Sequence, residues 1–467
     1  MIYIFFAIWL IIGASVFIAP SRRVVHLLCG LYMAVHALFA VMITFGGNYL
    51  TTSGVFFTFD QAGTLFYILL GIVATFVLIH SQEYLKEDTL GDYRKYFALL
   101  ILLTTSITGV YFANNIAVTW ILLETTTLCS AGILYHRHSA QTLEATWKYL
   151  FVCSTGIAIA YLGILLLCAA ASNSSLSYNE LAQLIVHGNP LYLKAAFLLI
   201  LTGYSCKMEI FPLYTIGVDA NFAAPAPASA LISTGLVNAG FLAIFRIYRL
   251  FAHTEIFGWV QNVMLIIGVL SLVVGALFLR RTNNYKRFLS YSTVENMGIV
   301  AIGLGVGGAG VWAAVFHVVC HTFIKSSLFL QIAIVRQVYN GYRINRLGDY
   351  ININKVGAIA IMVGMVAVLA FPPSPLFISE LMIMAEALAG GDWWLIAIMA
   401  VLLCIVIFTI CHRFIKLCYQ PNQDELHPSN IDRRLSYSAL SLLLVALVLG
   451  LWQPEFLTSI IDKIVTL

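Results

Sequence analysis

Six ionisable side chains of this 467-residue chain lie within long apolar runs: Glu124, Lys148, Lys207, Glu295, Lys325 and Glu380. A charge at bilayer depth costs at least roughly 2.5 to 3.5 kcal/mol on insertion scales, so a set of six calls for a chemical use. Carboxylates and amines that change partners in low dielectric take up and release protons, and the economical use is a path for ions across a membrane. His317 and His321 extend the set. With Lys325 they stand at i, i+4 and i+8 and share one helix face. A bis-histidine haem would need its second ligand on another helix, and His26, His36 and His80 form no matching pair at helical spacing. A hydrated histidine-lysine relay fits better, because imidazole both accepts and donates a proton near neutral pH.

The surroundings distinguish these residues. Glu124 precedes three threonines, a polar ladder inside its span. A lone carboxyl there would become neutral, whereas a nearby lysine would hold it ionised. Lys207 begins the run Lys207-Met208-Glu209-Ile210-Phe211-Pro212, in which Pro212 frees a backbone carbonyl. Residues at i and i+2 of a helix point apart, so Lys207 is expected to face another helix rather than Glu209. Lys148 lies near the start of its span and has a second reading as a lysine that snorkels to the interface.

The elements that carry these groups follow from composition. With 61% hydrophobic residues, 10% charged residues and a mean hydropathy of +0.92, a soluble fold would have to expose most of its apolar surface. The chain reads as an all-α polytopic membrane protein. Windows of about 20 residues, enough to cross roughly 30 Å of hydrocarbon, give about fourteen transmembrane helices. They fall near 2–19, 24–45, 62–81, 97–113, 115–134, 146–171, 191–214, 228–250, 256–279, 288–305, 309–335, 356–388, 393–418 and 437–460. Breaks are expected in 309–335 and in 356–388, the latter at Phe371-Pro372-Pro373-Ser374-Pro375. The longest polar stretches, 172–189 and 419–435, read as loops, and no soluble domain stands apart from the membrane.

Basic residues set the expected orientation. Arg22, Arg23, Lys86, Arg94, Lys95, Arg137, Arg280, Arg281, Lys286, Arg287 and the basic residues of 336–355 and 413–434 all fall in alternate connections. The positive-inside rule therefore places both termini outside the cytoplasm. The net charge of +4 is this loop bias and implies no nucleic-acid partner. The first segment lacks a positive n-region and a small-residue cleavage pattern, so it reads as a span rather than a signal peptide. The nine cysteines are scattered singly, without the clustered thiolates that iron-sulfur or zinc sites need. No Gly-rich phosphate loop follows a strand pattern, and neither a cofactor nor a metal is expected.

Several motifs then resemble one family. Lys207 to Pro212, Val218-Asp219-Ala220 and Ala224-Pro225-Ala226-Pro227-Ala228-Ser229-Ala230-Leu231 look like the signature of the Mrp-type antiporter-like subunits. Those subunits are shared by respiratory complex I, multi-subunit sodium/proton antiporters and energy-converting membrane-bound hydrogenases. Tyr285 to Thr293, the His317/His321/Lys325 row and Phe377-Ile378-Ser379-Glu380 match further motifs in the expected order, so the resemblance covers nearly the whole chain. Glu295 after the Tyr-Ser-Thr motif, and Ser233 and Asn238 in place of a titratable group on the eighth span, resemble the F-type subunit of hydrogenase-4 and formate hydrogenlyase complexes.

The resemblance implies two inverted five-helix repeats, each with a broken helix, at 97–250 and 256–418, flanked by N-terminal helices in 1–96 and a last helix in 437–467. It implies that Glu124 and Lys207 form the pair of a first half-channel, that Lys325 connects the halves and that Glu380 ends the second. Ending after the fourteenth span, the chain is expected to lack the lateral helix of the distal complex I subunit. The expected function is proton translocation within a membrane-bound complex-I-like hydrogenase or oxidoreductase, driven by electron transfer in partner membrane subunits. The alternatives are a subunit of a sodium/proton antiporter or of an NADH:quinone oxidoreductase. No redox centre is expected in this chain itself.

Overall fold

Short polar residues start most of the apolar helices, because a side-chain oxygen there satisfies amides that lack an intrahelical partner. In the computed structural model, which describes residues 2–46, 54–172, 175–421 and 433–466, Ser21, Asp60, Thr89, Asn115 and Asn284 each cap a helix in this way. Among the described residues there is no strand, only three isolated bridges.

The helices run α1 (Ile2–Phe17), α2 (Arg22–Phe45), α3 (Gln61–Tyr84), α4 (Leu90–Phe112), α5 (Ile116–Leu134), α6 (Ala140–Ala171) and α7 (Tyr178–Leu184). They continue with α8 (Pro190–Met208), α9 (Thr215–Ala223), α10 (Ala226–Leu231), α11 (Val237–Leu250), α12 (Phe257–Arg281), α13 (Tyr285–Val306) and α14 (Gly308–Tyr339). The chain closes with α15 (Tyr350–Ile353), α16 (Lys355–Val368), α17 (Pro375–Ala389), α18 (Trp393–Tyr419), α19 (Arg433–Leu451) and α20 (Glu455–Val465). Among the described residues, eleven segments are long and apolar enough to cross a membrane. The polar 419–435 stretch lies mostly outside the described residues, as do positions 173 and 174 of the 172–189 stretch.

Three differences from the sequence reading have local causes. The span expected at 191–214 stops at Met208, where Glu209 takes a left-handed conformation with φ of 59°, and the chain re-enters helix only at α9. The break expected in 309–335 is absent. α14 runs unbroken for 32 residues because it holds no proline, and the positive-φ glycines Gly307 and Gly308 fall at its start. The last span, expected to reach 460, ends at Leu451; Pro454 then starts the separate α20. The break at Pro372 and Pro373 is where the sequence put it, between α16 and α17.

Depth distinguishes the helices. The α10–α11 segment and α14 are buried along their apolar length, whereas α1 and α18 present Ile4, Ile11, Val401 and Phe408 outward. Small residues let the central helices close up. A Cβ at Gly240 of α11 would come within 2.5 Å of the Lys207 carbonyl carbon, so that position accepts no side chain and α11 braces the end of α8.

Candidate functional site: a buried row of titratable side chains

Lys207 lies in the last turn of α8, 2% exposed, on the lip of the first helix break. Its ammonium donates to Thr127 Oγ1 at 2.7 Å and stands 3.4 Å from the Tyr149 hydroxyl. Glu124, one turn before Thr127 on α5, accepts from Ser154 at 2.6 Å and from Thr127 at 3.4 Å. The expected partners therefore meet through a shared hydroxyl rather than as a direct ion pair. Thr127 fills the space because α5 presents i and i+3 to the same neighbour.

Glu209 is the residue that sequence reasoning set aside. The left-handed turn ends the helix at that point, so the i, i+2 rule for helical side chains does not govern where Glu209 points. It is buried at 2% exposure; one oxygen accepts from Asn221 of α9 at 2.9 Å and the other has no partner. A buried carboxyl oxygen without a donor is a place for a proton or a water. The signal available in the sequence was Pro212, three residues after Glu209, which cannot continue a regular helix.

The segment after the break is clamped by the Tyr285-Lys286-Arg287 motif. Lys286 donates to the carbonyls of Phe222, at 3.0 Å, and Ala224, both at the C-terminal end of α9, where a cation also meets the helix dipole. Arg287 bonds Asp219 at 2.9 Å. This part of the family resemblance thus holds the broken helix in position.

The second group of residues is more enclosed. Lys325 and His321 are fully buried on α14, and the lysine donates to the Leu289 carbonyl at 3.0 Å. Glu209 and Glu295 both lie within electrostatic reach of it. Glu295 accepts from Asn296 at 2.6 Å, Asn296 faces His317 at 3.1 Å, and His317 bonds Ser379 at 2.9 Å. Ser379 precedes Glu380, which is 8% exposed on α17 just after the second break. Polar atoms thus run from Glu295 to the residue beside Glu380 with every link near hydrogen-bond length.

Between the two groups the expected titratable residue is absent, and neutral pairs stand there. Ser233 meets Thr293 at 2.8 Å and Asn238 donates to Thr322 at 2.9 Å. Residues Ile232–Leu236 wind as a π-helix, a deformation common at functional sites, and Tyr111 donates to the Gly235 carbonyl. Both ring nitrogens of His321, Asn238 Oδ1, Ser292 Oγ and one oxygen of Glu209 are buried without partners. These atoms leave hydrogen-bonding capacity open along the row.

Lys148 stands apart from this row. Its ammonium meets Glu144 at 2.5 Å across one helical turn, with the two side chains 55% and 65% exposed. Its exposure and its partner Glu144, one turn away on the same face, support the snorkelling reading. Among the described residues no group of three or more His, Cys, Asp or Glu side chains is placed to hold a metal ion.

Residues 113–406 match the family described as NADH:quinone oxidoreductase/Mrp antiporter, TM. The chain is 26% identical over 415 residues to the hydrogenase-4 component F homolog of Methylacidiphilum infernorum, covering 86% of each chain. It superposes with a TM-score of 0.87 on a chain of an archaeal membrane-bound sulfane sulfur reductase, at 22% identity, covering 99% of this chain and 96% of that one. A chain of the Mrp complex from Dietzia sp. DQ12-45-1b gives the same TM-score and coverage at 17% identity. The matched region takes in both helix breaks and the whole row from Glu124 to Glu380, and the protein is an antiporter-like, multi-pass membrane subunit belonging to the NADH:quinone oxidoreductase/Mrp antiporter family.

Proposed function

We propose that this chain carries protons through the membrane as part of a complex-I-like hydrogenase or oxidoreductase, with electron transfer in partner membrane subunits as the driving reaction. The observation that carries the reading is the row that runs from half-buried Glu124 through buried Thr127, Lys207, Glu209, Lys325, Glu295, His317 and Glu380, in which most neighbours are joined by hydrogen bonds or lie within electrostatic reach. A mere membrane anchor would gain stability by replacing each charge with leucine, so their presence together favours transport. The similarity to a hydrogenase-4 component F homolog supports a hydrogenase-type partner.

The mechanism is electrostatic. A charge change beside α5 and α6 alters how strongly Glu124 holds Lys207 through Thr127. An ammonium that loses its counter-charge while desolvated releases its proton. Glu209 stands at the break as the next acceptor, and Lys325, Glu295 and His317 pass the proton toward Glu380. The proton enters and leaves through waters at the unpartnered atoms.

Three finer features belong to the same reading. Fourteen crossings follow if α1, α13 and the α16/α17 pair are added to the eleven longer segments. Inverted repeats over 97–250 and 256–418 are supported by a broken helix in each, α8/α9 and α16/α17. The helices of 1–96 and the last segment in 437–467 flank them, and the basic loops favour both termini outside the cytoplasm.

The test is turnover of the intact complex in sealed vesicles. The pH gradient should form without sodium and vanish in Lys207→Met and in Glu380→Gln, while the complex still assembles. A sodium dependence of turnover that persists in the presence of a protonophore would favour the antiporter alternative, suggested by the Mrp-complex fold. Normal pumping by either variant would remove that residue from the path.

A further inference from the structure

Away from the titratable row, α1, α4 and α5 leave an open slot of about 1040 Å³ between them. Its walls are apolar: Leu10, Ile11 and Ala14 of α1 face Leu99 and Leu102 of α4. At one end the slot passes into a second, polar cavity of about 900 Å³, and the two share Asp92, His136 and His138. Lys95 lies at the same junction. The groups there are mixed: Asp92 stands 3.9 Å from Lys95 and 3.8 Å from His138, and the side chains of both partners are more than half exposed.

An apolar trough that ends in a mixed-charge cavity matches an amphiphile with a tail and a dipolar head. An acyl chain follows such a trough, and the mixed charges at its end suit a lipid headgroup rather than the apolar flank of a neighbouring helix. At the junction Lys95 and His138 offer donors to a phosphate, and Asp92 offers an acceptor to an ammonium. We propose that this slot is a phospholipid site selective for a zwitterionic headgroup with a primary ammonium, the chemistry of phosphatidylethanolamine. A choline headgroup has no N–H to give Asp92, and a glycerol headgroup has no cation.

Native mass spectrometry of the full chain in mild detergent tests this, with palmitoyl-oleoyl phosphatidylethanolamine, phosphatidylcholine and phosphatidylglycerol as probes. The ethanolamine lipid should bind about tenfold tighter than either of the others. Ala14→Trp fills the trough from an exposed position and should remove most of that binding, whereas Ile4→Trp, elsewhere on α1, should not. Asp92→Asn should abolish the preference for ethanolamine over choline, and Lys95→Glu should weaken binding that Lys95→Arg retains. Should Ala14→Trp fail to fold, the loss of headgroup preference in Asp92→Asn decides alone. Equal binding of the three lipids, ethanolamine binding untouched by both Ala14→Trp and Asp92→Asn, an isoprenoid quinone recovered in place of phospholipid, or a partner subunit cross-linked to Ala14→Cys in intact membranes would each overturn the proposal.

Discussion

Helices α5 and α13 begin alike and end in different surroundings. Each is capped by an asparagine, Asn115 or Asn284, whose side chain accepts from the second and third amides of its helix. Each is followed by a 32-residue helix, α6 or α14, that stops at a left-handed residue, Ser172 or Asn340. Each start is also bridged to the chain beyond that long helix, Asn115 to Ser177 and Asn284 to Arg343. The acids they carry differ. Glu124 sits half-buried at the rim, beside a helix that turns Trp147 and Phe151 outward, while Glu295 is enclosed and faces the fully buried α14. Desolvation makes a charge more sensitive to its partners, and exposure makes it accessible to a new one. On the proposed mechanism, the first set of helices receives a charge signal from outside the chain and the second is insulated from one.

The largest effects should fall on the insulated side. Lys325→Met should abolish proton movement in sealed vesicles, because Lys325 lies within electrostatic reach of both Glu209 and Glu295. Pumping at a measurable rate by this variant would mean that the two halves do not share a connecting residue.

Next in size is the rim relay. If Glu124 acts on Lys207 through a shared hydroxyl, Thr127→Val should slow pumping about as much as Glu124→Gln, and the double variant should be little worse than either. The coupling in that cycle should amount to about 0.5–3 kcal/mol, as for residues in one network. Additive losses would break the relay and leave Glu124 to another partner.

A smaller loss is expected where the break is braced. Gly240→Ala pushes a methyl against the Lys207 backbone and should cost about 1–3 kcal/mol, read as a lower melting temperature of the detergent-solubilised chain. An unchanged melting temperature would show that the end of α8 yields. The smallest effect belongs to Lys148→Met: it removes an exposed pair and should alter the pumping rate by less than about twofold. A larger fall would return Lys148 to the path.

Sequence and structure divided the problem along physical lines. The apolar runs, the prolines at 372 and 373 and the charges inside the spans were legible, since bilayer thickness, the missing proline amide and the cost of a buried charge act locally on any chain. The spacing of His317, His321 and Lys325 was legible too, because α14 is an unbroken helix and period 3.6 fixes a face. Glu209 was hidden, since a side chain's direction after a helix end depends on the packing that ends the helix, here α11 pressing Gly240 against Lys207. Thr127 as the link, and Lys148 outside the row, depend on which faces of α5 and α6 meet α8. Nothing in a single apolar helix states which side faces protein and which faces lipid when both sides are equally apolar, and only the tertiary structure decides that.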